Sequence, residues 1–92
     1  MIRSLRSRAL RRLWLKNDGS GLPVAQRTRI EMLLDRLNAA PVPGDMNLPG
    51  LDFHPLKGAD KGRYAVKVSA NYRITFGWHD GDAIEVDYED YH

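Results

Sequence analysis

The sequence predicts an α+β fold, with two helices covering one face of an antiparallel sheet. Three observations carry this reading. Apolar residues recur at helical spacing in two stretches before residue 40. Beyond residue 53 the period drops to two. The breaks between the period-two runs are short enough for hairpins.

Leu5, Ala9, Leu10, Leu13 and Trp14 share one helical face and predict a helix over about residues 6–16. Ile2-Arg3-Ser4 before it reads as an edge strand or a lead-in. Asn17-Asp18-Gly19 supplies the stop. Pro23 suits the first turn of a second helix. Ile30, Leu33, Leu34 and Leu37 form its apolar stripe. Arg27, Glu31 and Asp35 stand four apart and suggest an exposed surface laced with ion pairs. Pro41, Pro43, Gly44, Pro49 and Gly50 make residues 41–52 an ordered loop.

Tyr64, Val66 and Val68 then alternate with Ala65, Lys67 and Ser69. Tyr72, Ile74, Phe76 and Trp78 alternate with Arg73, Thr75 and Gly77. Ala70-Asn71 separates these runs, and Asp80-Gly81 marks the next turn. Ile84, Val86 and Tyr88 alternate with Glu85 and Asp87. The result is a three-stranded meander, apolar on one face and polar on the other. Lys67, Arg73 and Thr75 fall on the open face. His54-Pro55-Leu56-Lys57-Gly58 is placed in the loop before it.

Ninety-two residues, 42% of them hydrophobic, suit a single domain over 1–92. Its stability should lie near the low end of ~5–15 kcal/mol. The absence of cysteine excludes disulfides and thiolate catalysis and suits a reducing, cytoplasmic setting. No apolar run is long enough to span a bilayer as a helix. Residues 1–16 hold six basic residues and no acid. A transit peptide has such a composition. We read a basic amphipathic helix instead, because so short a chain can hardly lose its first helix and keep a core.

The net charge of +2 hides a polarity. Residues 1–73 carry all fourteen Lys and Arg against six acids, and residues 74–92 carry six acids with no Lys or Arg. The first part has the footprint of a polyanion binder. The acidic last strand is expected to neutralise some of these cations and leave others free.

The last strand runs into Asp90-Tyr91-His92. In a meander it neighbours the middle strand, so this tail is expected near Arg73. Two histidines, a lysine, an arginine, a tyrosine and an aspartate suit phosphodiester cleavage in RNA. His54 or His92 can move the proton. Lys57 and Arg73 can neutralise a phosphorane. Tyr91 can stack on a base or donate a proton. Each residue has a plainer reading. His54 can finish a turn, Lys57 and Arg73 can pair with strand acids, Asp90 can cap backbone, and the tail can be solvated. His79 reads as surface. No spacing among the histidines and acids suits a metal, so neither metal nor cofactor is expected.

These motifs carry a resemblance. His54-Pro55-Leu56-Lys57-Gly58, Asn71-Tyr72-Arg73-Ile74-Thr75-Phe76 and Asp87-Tyr88-Glu89-Asp90-Tyr91-His92 resemble the HigB toxins of the RelE/ParE superfamily, as does the opening Met1-Ile2-Arg3-Ser4-Leu5. The family usually has Trp where this chain has Tyr72. The resemblance implies two N-terminal helices packed on one face of a twisted, mostly antiparallel, RelE-like sheet. It implies a metal-independent endoribonuclease that cuts mRNA in the ribosomal A site. The implied partner is a HigA-like helix-turn-helix antitoxin that represses the shared operon, so DNA is met only through the antitoxin and no membrane is involved. The implied site is His54, Lys57, Arg73, Asp90, Tyr91 and His92. Arg8, Arg11 and Arg12, with Lys67, then become candidates for gripping RNA backbone. The competing functions are a non-enzymatic toxin, like the ParE members, and a silent domain that binds RNA or antitoxin.

Overall fold

A computed structural model describes residues 1–91 of the chain. Helix α1 spans Arg8–Lys16 and α2 spans Arg27–Ala39. Four strands follow: β1 His54–Pro55, β2 Arg63–Lys67, β3 Tyr72–His79 and β4 Asp82–Asp90. They pair in that order, each antiparallel to the next. Both helices lie on one face, where Leu10, Leu13, Ile30 and Leu34 pack with Val66, Ile74 and Phe76. The expected α+β layering holds. None of the described helices is long and apolar enough to cross a membrane.

Local chemistry sets the helix ends. Ser7 Oγ accepts from the Leu10 amide at 3.2 Å and caps the start of α1. Asn17 ends it in the left-handed region at φ 53°. The stripe Ile30, Leu33, Leu34 and Leu37 is buried throughout. Pro23 precedes a short 3₁₀ turn, Val24–Gln26, that leads into α2. The ion-pair lacing expected on α2 is absent among the described residues. Arg27 turns away from Glu31 and donates through Nε to the Leu22 carbonyl at 3.1 Å.

Three features of the backbone shape the sheet. His54 and Pro55 are not loop but a short strand, paired with Ala65 and Tyr64. Residues 1–6 lie parallel to β4, with Arg3 N–H on the Ala83 carbonyl at 2.8 Å and Arg6 N–H on the Val86 carbonyl at 2.7 Å. The strip is both the edge element and the helix lead-in. The third feature is a bulge. Thr75 faces Asp87 but Gly77 faces Ile84, so β4 holds one extra residue. Glu85 supplies it at φ 50°. Its amide donates to Ser4 Oγ at 2.8 Å and its carbonyl accepts from Arg63 at 2.8 Å. The slip puts Ala83 and Val86 in the core and moves Ile84 to the open face, against the simple alternation.

The charge polarity of the chain has a structural use. The N-terminal ammonium and Arg3 bind Asp82 at 3.0 and 2.8 Å, and Arg6 lies 3.7 Å from Glu85 and 4.0 Å from Asp87. The hydrogen bond from the terminal ammonium, then that from Arg3, hold the Asp82 carboxyl below its ordinary value of 3.8. Its folded pKa is depressed, so this stabilisation is complete above 3.8 and is lost as the pH falls through the folded value. Asp82→Asn is expected to melt below the wild type at pH 7. The two melting curves should converge near pH 2, and a constant gap would contradict the assignment.

Candidate active site

The open face of the sheet is set out in rows by its register. His54, Ala65, Thr75 and Asp87 form one row, and Lys67, Arg73 and Glu89 the next. Ala65 and Thr75 are fully buried and floor the middle of the face. Longer, charged side chains stand around them.

Arg73 is half-buried, and its Nε is buried without a hydrogen-bond partner among the described residues. The Tyr91 ring lies over its guanidinium, 5.4 Å from centroid to Cζ. The Tyr91 amide continues the ladder by donating to the Asn71 carbonyl at 3.0 Å. The tail therefore reaches Arg73, as the meander requires.

His54 lies two strands away, roughly 12 Å from Arg73 between Cα atoms by strand spacing and rise. Its Nδ1 is 2.8 Å from the Asp52 carbonyl oxygen. A carbonyl only accepts, so Nδ1 carries the proton and Nε2 is left to receive one. Asp52 turns its carbonyl there from a left-handed backbone at φ 48°.

Lys57 is exposed and lies beyond His54 on the side away from Arg73, at the cap of the short turn Gly58–Asp60. Lys67 is exposed and stands beside Arg73 in register. Asp90 pairs with Tyr72, a helix-side position, so strand alternation aims it to the face opposite Arg73. Arg8, Arg11 and Arg12 are exposed on α1, behind the sheet rather than on the open face. His92 lies outside the described residues. His79 is surface, 3.2 Å from Asp80.

A family description, RelE-like toxin of type II toxin–antitoxin system HigB, matches residues 3–92. The chain belongs to this family. With the family come the toxin role and an antitoxin as partner. The HigB-like toxin is 39% identical over 92 residues to a curated relative from Proteus vulgaris, covering all of both chains. That relative is named Endoribonuclease HigB, which sets the enzyme class. The fold likeness extends to a YafQ mutant from E. coli, with TM-score 0.59 and 14% identity over 99% of this chain and 94% of that one. It extends also to a mutant toxin from Helicobacter pylori, with TM-score 0.56 and 14% identity over 99% and 96%. At that identity these two speak for the fold alone.

Sequence reasoning on the HigB-like toxin missed three residues of this face as a group. Arg63 donates to Thr75 Oγ1 at 3.0 Å, and Thr75 donates in turn to Glu89 Oε2. Burial lowers the Arg63 pKa from its ordinary value, yet the group stays cationic at neutral pH. The signal was available in part. Period two already put Thr75 on the open face, and the same alternation carries Arg63 and Glu89 there.

Proposed function

We propose that this toxin cuts messenger RNA bound in the ribosomal A site, without a metal, by attack of a ribose 2′-hydroxyl on the adjacent phosphate. The observation that carries the reading is Arg73. It is a half-buried cation under an aromatic ring, with no carboxylate of the described residues in an ion pair with it, on a face that also presents His54 Nε2.

The roles follow from that chemistry. His54 Nε2 accepts the 2′-hydroxyl proton, a role typically worth ~10²–10⁴-fold. Arg73 and Lys67 neutralise the charge that gathers on the phosphorane, and Lys57 holds the backbone on the far side of His54. Tyr91 stacks on a base beside Arg73. His92 protonates the leaving 5′-oxygen, and Asp90, which the register aims to the other face, takes no step in this reading. Arg8, Arg11 and Arg12 grip ribosomal RNA from the helix side of the molecule, through contacts that weaken with salt. In this reading the antitoxin is a HigA-like helix-turn-helix protein and the setting is the cytoplasm.

The test is a translation reaction on a defined message with the new ends mapped. Cuts should appear only on ribosome-bound message and fall at one codon position. The upstream fragment should end in a 2′,3′-cyclic phosphate and the downstream one begin with a 5′-hydroxyl. Equal cutting of naked RNA would end the ribosome dependence, and 5′-phosphate products would end the 2′-hydroxyl mechanism.

A further inference from the structure

Arg73 and Glu89 are direct cross-strand partners on the open face. Opposite charges in that relation ordinarily pair, since their Cβ atoms stand ~4.5–5.5 Å apart. No hydrogen bond or ion pair joins these two among the described residues. Arg73 Nε even stays buried without a partner. Leaving a buried donor unmade is unfavourable, so something must hold the carboxylate away.

The restraint is visible one pair along the strand. Thr75 is fully buried. Its hydroxyl donates to Glu89 Oε2 and accepts from Arg63 Nη2 at 3.0 Å. Arg63 is itself fixed by a second hydrogen bond, to the Glu85 carbonyl that the bulge turns toward it, at 2.8 Å. Arg63 thus serves as the cation of Glu89, with Thr75 between them. The neighbouring acids are taken as well, since Arg6 lies 3.7 Å from Glu85 and 4.0 Å from Asp87. Among the described residues, Glu85 and Asp87 lie against Arg6, and Glu89 is held by the Thr75 hydroxyl rather than by Arg73.

We propose that Thr75 and Arg63 are positioning residues that keep the Glu89 carboxylate off Arg73, so that the Arg73 guanidinium stays available to an RNA phosphate. The inference rests on the reading that Arg73 binds phosphate. A phosphate arriving at a free guanidinium displaces only water. At a guanidinium already paired with Glu89 it must displace a carboxylate of the same sign as itself.

Thr75→Val keeps the shape of the buried side chain and removes the hydroxyl. Glu89 then loses the hydroxyl that ties it to Arg63, and its direct cross-strand partner, Arg73, becomes open to it. The variant is expected to lose about 10–100-fold in kcat/KM for ribosome-bound message, part of the ~10²–10³-fold that a lost oxyanion donor costs. Thr75→Val/Glu89→Gln removes the competing charge and should return to within about threefold of wild type, as an additive loss would not. A merely structural role for Thr75 leaves the double variant no better than the single one, and that result overturns the proposal.

A second readout does not depend on cleavage. In ¹⁵N-labelled protein the Arg73 Nε–H resonance should move downfield and exchange more slowly in Thr75→Val, and revert in the double variant. An unmoved resonance overturns the proposal. If the wild type cuts no message at all, the proposed function fails while this resonance still decides the placement of Glu89.

Discussion

Arg73→Ala is expected to slow message cleavage by ~10²–10³-fold while the protein still melts cooperatively. The separation of the two effects is the point of the measurement. Arg73 stands on the open face, and its contact among the described residues is the Tyr91 ring at 5.4 Å. A cation–π contact at a partly exposed site is worth about 0.5–1 kcal/mol, and the truncation also removes an unsatisfied buried Nε. These terms are small and opposed, so stability should move little. Arg73→Lys sharpens the result. A lysine keeps the charge but lacks the planar fork that meets two phosphate oxygens at once. It should restore only part of the lost rate. Wild-type cleavage in Arg73→Ala, with normal ribosome binding, would remove Arg73 from the site.

Phe76→Ala is expected to do the reverse. It should lower stability by about 3–5 kcal/mol, much of what so small a fold holds in total. Phe76 is fully buried at the centre of β3. Its ring stacks on Tyr64 with centroids 5.7 Å apart and meets Trp78 edge-on at 6.4 Å. Truncation leaves a cavity between the sheet and both helices, where the surrounding side chains already interlock and can relax only partly. Thermal or urea unfolding checks this. Phe76→Leu should recover a large share of the loss, because it refills most of the volume. A shift below about 1 kcal/mol for the alanine variant would mean that the helices do not close over β3 as described.

These two residues stand three apart along the same strand, and period two was enough to assign them to opposite faces. Much of the fold was legible for this reason. The Ile30–Leu37 stripe, the Asp80-Gly81 turn and the open face of Lys67, Arg73 and Thr75 all follow from spacing and turn chemistry. The bulge did not. A left-handed residue announces itself when it is glycine, and here Glu85 takes the position. What stabilises it, Ser4 and Arg63, lies 81 and 22 residues away. The strand at His54–Pro55 was too short to show a period.

The candidate site was legible by residue type more than by placement. Tyr91 over Arg73 agrees with the meander. The greater distance of Lys57, and the alternation that carries Asp90 to the other side, required the register. Glu89 escaped notice because its partner is a diagonal neighbour on the adjacent strand rather than a residue nearby in sequence. Two acids flanking Tyr88 looked alike in the sequence, yet Asp87 answers to Arg6 and Glu89 to Thr75.

The strip formed by residues 1–6 has a consequence for how the chain comes together in time. Apart from the Ile2 amide, which donates to Asn38 Oδ1 on α2, its hydrogen bonds and ion pairs reach β4, as far as 81 residues away, so it is complete only after β4 has been synthesised. Until then the lead-in to α1 has only its bond to Asn38, and Arg73 has no ring above it. Closing so long a loop is costly in entropy and slow. The sheet edge and the face that carries Arg73 are therefore completed in one late event, and a nascent chain that still lacks β4 holds neither.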